Sequence, residues 1–155
     1  MADDQIPLAV LLAEQSINFS AVAEDRDDAI RQAGEALIAS GAVDASYIDA
    51  MLERENSVST FMGEGVAIPH GTLAGAVSVK ANSIVLLRFP QGVDWDGNDV
   101  RMVFGIAAKG NGHIALLSQL ATVLLDPSQA EALRKASTTE QVYAVLQFAV
   151  KSEDA

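Results

Sequence analysis

Apolar positions change their period several times along the chain, and each change marks an element. From Arg26 to Ser40 the residues Ile30, Ala33, Leu37 and Ile38 recur at helical spacing, with Asp25 or Asp27 to cap the start and Gly41 just past the end. A second helix begins after Asp44, where Tyr47 with Met51 and Ile48 with Leu52 form i,i+4 apolar pairs and Glu53, Arg54 and Glu55 fall near the C-terminal end. Val66 to Ile68 is a short β-prone run stopped by Pro69, which leaves His70 in a turn. Ser83 to Phe89 and Val100 to Ala107 are nearly continuous apolar runs of strand length and read as central strands. Between them Gln91-Gly92 and Asp96-Gly97 supply turns around Val93 to Trp95, which reads as a third, edge-like strand. Ile114, Leu117, Leu120, Ala121 and Leu124 then define a strongly apolar helix that stops before Asp126-Pro127, a cap and first residue for the next helix. Thr138 with Gln141 starts a last helix through a capping box, and its Val142, Leu146 and Val150 face the core. Helices bracket a strand-rich middle, so the fold class is α/β.

The length of 155 residues, with half of them hydrophobic and 20% charged, suits one domain with a full core and excludes a disordered chain. No repeat or linker divides residues 1–155, and only the ends near 1–6 and 151–155 read as loose. A formal charge of -11 disfavours binding to nucleic-acid backbones and anionic membranes. Without cysteine there is no disulfide, thiolate nucleophile or thiolate metal site, which fits a reducing compartment. Ile6 to Ala13 is too short to span a bilayer and follows Asp3 and Asp4, so neither end reads as a targeting segment and the cytoplasm is the expected location.

Two histidines remain as carriers of a proton or a transferable group. His70 lies in Ala67-Ile68-Pro69-His70-Gly71-Thr72, where Pro69 fixes the backbone, Gly71 permits close approach and Thr72 offers a hydroxyl, a pattern that presents an imidazole. Taken alone, an ordinary exposed turn histidine is the stronger reading. His113 opens the apolar helix, where the N-terminal partial charge disfavours imidazolium and attracts an anion; taken alone, a polar residue at a helix start is again the stronger reading. Arg54 has the planar fork that suits phosphate oxygens, yet between Glu53 and Glu55 it reads as a solvated helix face. Gly63-Glu64-Gly65 lacks the lysine and hydroxyl residue of a phosphate loop, and Asp94, Asp96 and Asp99 around Gly97 miss calcium-loop spacing. Two histidines and a carboxylate suffice for a zinc set by count, though none of the familiar zinc spacings occurs; neither a metal nor an organic cofactor is expected.

Read in order, Gly41-Ala42-Val43, Tyr47-Ile48-Asp49-Ala50-Met51, Arg54-Glu55, Ser59-Thr60-Phe61-Met62-Gly63, Val66-Ala67-Ile68-Pro69-His70-Gly71 and Gly105-Ile106-Ala107-Ala108 followed by His113 resemble one family. It is the enzyme IIA family of the bacterial phosphoenolpyruvate-dependent sugar phosphotransferase system, mannitol/fructose class, and the likeness runs from about Leu11 to Leu146. Pro90 to Val93 and Gly105 to Ala108 are most similar to the mannitol branch. The resemblance implies a mixed sheet of about five strands flanked by helices. It also implies a phosphocarrier that takes a phosphoryl group from the protein HPr and passes it to a cysteine of the IIB component of a IIB/IIC permease. Carried over by position, His70 would be the phosphorylated residue, through Nε2, with His113 and Arg54 as the other active-site residues. Thr60, Glu64 and Thr72 would support them, and an exposed apolar collar including Phe61 and Met62 would dock partners unless those two belong to the core. A monomer suits a carrier that docks two partners in turn. A fructose-specific component and a nitrogen-type regulatory relative are the competing readings within the family.

Overall fold

The computed structural model describes residues 11–63, 65–72, 75, 78–109 and 112–154, with side chains described throughout except at 112–115 and 147–154. Five strands, β1 (Leu12–Asn18), β2 (Phe61–Gly63), β3 (Val66–Ala67), β4 (Ser83–Trp95) and β5 (Asn98–Ala107), form one mixed sheet in the order β1-β4-β5-β3-β2. β1 runs parallel to β4 and β3 parallel to β5, while β4–β5 and β2–β3 are antiparallel. Among the described residues the helices are α1 (Arg26–Ala39), α2 (Ser46–Ser57), α3 (Gly112–Leu124), α4 (Pro127–Lys135) and α5 (Thr139–Asp154).

Because side chains alternate along a strand, the two central strands feed two cores. Ile84, Leu86, Met102, Phe104 and Ile106 pack with Leu116, Leu120, Leu133, Val142 and Leu146 of α3, α4 and α5. Val85, Leu87, Phe89, Val103 and Ala107 pack on the other face with Ile30, Ala33, Leu37, Tyr47 and Met51 of α1 and α2. The result is a sheet covered on both sides, as its apolar runs require.

Local chemistry explains where the helices stop and start. Asp25 is extended and its Oδ1 accepts from the Asp28 N–H at 2.8 Å, so of the two candidate caps it is Asp25 that opens α1. At the other end Gly41, with φ +81°, lets its N–H reach the Ile38 carbonyl and the Ala42 N–H reach that of Leu37, a Schellman closure. Asp126 accepts from the N–H groups of Ser128 and Gln129 ahead of Pro127. The last helix opens with Thr138 accepting from the Gln141 N–H, while the Gln141 side chain reaches back to the Ser137 N–H.

Three strand expectations change. Val93 to Trp95 is not a separate edge strand but the far half of β4, paired Val93↔Val100 to Trp95↔Asn98 against β5 and buried at Val93 and Trp95. The register shift between Arg88 and Val93 takes up Pro90, which cannot donate to a ladder; Asp96 and Gly97, at φ 55° and 92°, make the two-residue hairpin turn. β1 and β2 were not expected. Leu12–Asn18 is mostly polar, with Leu12 and Ser16 alone buried, because it lies at the sheet edge, and Phe61–Gly63 is only three residues long.

Candidate functional site

β3 leads directly into Ile68-Pro69-His70-Gly71, and the chain remains extended there: His70 bridges in parallel to Ile106, near the end of β5, and the Ile106 N–H donates to the Pro69 carbonyl at 3.1 Å. The imidazole is therefore not displayed on an exposed turn. His70 is 5% exposed, held at the sheet edge where β3 and β5 both end and from which the chain passes to the N-terminus of α3. In doubly covered sheets this edge, at the carboxyl ends of parallel strands, is where reactive groups collect.

The ring is oriented by its own chain. His70 Nδ1 lies 2.9 Å from the Ile68 carbonyl oxygen. A carbonyl only accepts, so this contact puts a proton on Nδ1 and, in the neutral imidazole, the lone pair on Nε2. Ile68 in turn donates its N–H to the Thr60 carbonyl at 3.1 Å. Thr60 is buried, and both its N–H and its hydroxyl donate to the carboxylate of Glu55, the N–H at 2.9 Å. That carboxylate, on a residue only 3% exposed, also accepts from Trp95 Nε1 at 3.0 Å.

On the other flank of His70, Tyr47 closes the turn. Its hydroxyl donates to the Ile106 carbonyl at 2.8 Å and accepts from the Gly71 N–H at 2.9 Å. Burial pushes the Tyr47 phenol above its ordinary range, against the opposing effect of the Gly71 N–H. A Cβ on Gly71 would stand 2.6 Å from Tyr47 Cε1, and one on Gly75 would stand 2.5 Å from Ala50 Cβ, so these two positions lie flush on α2 only because both residues are glycine.

Of the residues singled out in the sequence, His70 and Thr60 are thus brought into one hydrogen-bonded assembly. Arg54 is half-buried at the end of α2 and its Nη1 donates to the Val58 carbonyl at 2.6 Å, which anchors the loop that leads to Thr60. Thr72 caps its own turn by accepting from the Gly75 N–H. His113 is the second residue of α3; its side chain, like the whole of Glu64, lies outside the described residues. Phe61 and Met62 are half-buried and pack against opposite cores, Phe61 on the α1–α2 side and Met62 on the α3–α5 side. Asp94, Asp96 and Asp99 serve the hairpin: Asp94 accepts from the Gly97 N–H, Asp96 pairs with Arg26 and Asp99 with Arg101. Among the described residues no group of acidic residues and histidines is placed to hold a metal ion.

Tyr47 and Glu55 were missed as site residues. Glu55 reads in the sequence as part of a charged, solvated helix end, but it continues the i,i+4 series Tyr47, Met51, Glu55, and all three are buried. A carboxylate on the apolar stripe of a helix was the available signal.

Residues 10–149, which include this sheet and His70, match a family described as phosphoenolpyruvate-dependent sugar phosphotransferase system, EIIA 2. The chain belongs to this family. Among its relatives are the mannitol-specific phosphotransferase enzyme IIA component of Staphylococcus aureus, 39% identical over 92% of this chain and 99% of that one. That of Geobacillus stearothermophilus is 42% identical over 88% of this chain and 94% of the relative. The solved complex of enzyme IIAMTL and phosphorylated enzyme IIBMTL from Escherichia coli contains a chain that superposes with a TM-score of 0.81 at 33% identity, over 88% of this chain and 98% of that one.

Proposed function

We propose that the chain is, over its whole length, one IIA domain of the mannitol branch: a cytoplasmic phosphocarrier that accepts a phosphoryl group from HPr on His70 and delivers it to a cysteine of a IIB component of a IIB/IIC permease. The observation that carries this reading is the Nδ1 contact with Ile68, which leaves the Nε2 lone pair as the nucleophile. In the first transfer that lone pair forms the N–P bond while the bond from phosphorus to the donor's atom breaks, its electron pair leaving with the donor. In the second, the cysteine sulfur attacks phosphorus and the electron pair of the N–P bond returns to Nε2. The chemistry needs positioning and charge stabilisation, which Arg54, through guanidinium N–H groups not given to Val58, and His113, at the start of α3, supply to the equatorial oxygens. Burial of His70 keeps water from the N–P bond between the two transfers. No helix among the described residues is long and apolar enough to cross a membrane, in keeping with a carrier that meets its permease by docking.

The test is intact mass after incubation with phosphoenolpyruvate, enzyme I and HPr. The wild type gains one acid-labile phosphoryl group and His70→Ala gains none, while Arg54→Ala and His113→Ala are phosphorylated more slowly. Phosphorylation of His70→Ala would overturn the assignment of the acceptor. Full-speed transfer in both other variants would remove Arg54 and His113 from the site.

A further inference from the structure

We propose that Tyr47 and Glu55, from one buried stripe of α2, are positioning residues that clamp the two flanks of His70 and so fix the imidazole in the tautomer and orientation needed for transfer; this rests on the reading of His70 as the acceptor. The weak point of the site is the Ile68 carbonyl. It selects the Nδ1–H tautomer, yet the peptide that carries it ends in the nitrogen of Pro69, which has no N–H with which to anchor the plane. The carbonyl's direction therefore depends on its neighbours. On one side the Ile68 N–H is held by the Thr60 carbonyl, and Thr60 is held at two points by the Glu55 carboxylate. On the other side the Pro69 carbonyl is held by the Ile106 N–H, the Ile106 carbonyl by the Tyr47 hydroxyl, and the same hydroxyl accepts from Gly71. Both clamps originate on one rigid helix, two turns apart, and both reach backbone rather than the ring itself.

The choice of residue supports a role beyond packing. Burying a carboxylate is costly unless its lone pairs are used, and an apolar side chain would fill the stripe more cheaply. Glu55 accepts three hydrogen bonds, two of them from the residue that holds Ile68. No side-chain hydrogen of Glu55 or Tyr47 takes part in the transfer; their effect passes through Thr60, Ile68, Ile106 and Gly71.

The experiment combines imidazole nitrogen NMR of the unphosphorylated protein with single-turnover transfer from phosphorylated HPr. In Glu55→Gln the amide oxygen still accepts from Thr60 and Trp95 and the amide nitrogen donates to the Thr60 hydroxyl, so tautomer and rate stay near wild type. In Glu55→Met and in Tyr47→Phe the His70 signals move toward a mixture of tautomers, and the maximal rate falls about ten- to a hundredfold with KM for the donor unchanged. Tyr47→Phe keeps the ring against Gly71 and decides the matter should Glu55→Met fail to fold. Wild-type tautomer and rate in folded Tyr47→Phe, or in folded Glu55→Met, would overturn that clamp. A fall in rate with equal loss in Glu55→Gln and no change of tautomer would make the stripe structural only. If the wild type accepts no phosphoryl group, the reading of His70 fails by itself, while the NMR arm, which needs no donor, still decides the positioning.

Discussion

The two helical layers that cover the sheet bury different chemistry. On the α3–α5 side the described helical residues that reach the core, among them Leu116, Leu120, Val123, Leu133, Val142 and Leu146, are apolar apart from Gln119 and the half-buried Tyr143, whose hydroxyl donates to the Leu12 carbonyl, away from His70. On the α1–α2 side α2 inserts a phenol and a carboxylate among Ile30, Ala33, Leu37 and Met51, and both polar groups reach past the core to the backbone around His70. Each layer satisfies the hydrophobic demand of the face it covers. One layer contributes mainly apolar burial; the other also fixes the backbone on both flanks of His70.

Truncation on the plain side gives the largest expected effect on stability and none on chemistry. Leu133→Ala, at a buried position of α4, costs about 2–5 kcal/mol. Denaturant unfolding measures that loss, and the rate of phosphorylation per folded molecule stays at the wild-type value. A rate that fell with stability would mean that the two layers are not separable. On the α2 side Gly71→Ala forces a methyl against the Tyr47 ring and costs about 1–3 kcal/mol by overpacking. Here the phosphorylation rate falls too, since the ring can yield only by releasing the turn after His70. Wild-type transfer in a folded Gly71→Ala protein would show that the close approach is not needed.

The smallest effect is a pH dependence. Burial raises the Tyr47 phenol above its ordinary 10.0. A group whose folded value is raised contributes stability that is fully present below the unfolded value and is lost as the pH rises through the folded one. Unfolding midpoints therefore fall above a pH of about 10, and in Tyr47→Phe the alkaline slope is shallower. The slope that remains includes Tyr143, whose phenol is raised by burial and by Glu14 and Glu140. Equal slopes in the two proteins would place the alkaline loss elsewhere.

The elements readable in the sequence are those whose pattern is set locally. α1 is delimited by the Asp25 cap and Gly41, α4 by Asp126-Pro127, and the central strands by their apolar runs. What was not readable depends on partners distant in sequence. β1 has too few buried residues to announce itself and exists through its pairing with β4. Val93 to Trp95 looks detached because Pro90 and Gly92 interrupt the run, although β5 carries the pairing across the bulge. At the site, the Ile68-Pro69-His70-Gly71 block singled out His70 by resemblance, and the sequence put it in a turn where the structure buries it as an extended residue beside Ile106. Glu55 was hidden by its charged neighbours, since Glu53-Arg54-Glu55 reads as solvent-facing unless the stripe from Tyr47 is followed through it.

The sheet order also sets the time at which the site comes into being. β4 and β5 close on each other through the turn at Asp96 and Gly97, a hairpin of the kind that forms within microseconds. The parallel pairing of Val66 with Met102 closes a far longer loop, and His70 reaches Ile106 only after it. In a refolding experiment the ability to accept a phosphoryl group thus arrives late, after the hairpin is in place, so a chain caught half-folded already carries its central strands and is still chemically silent.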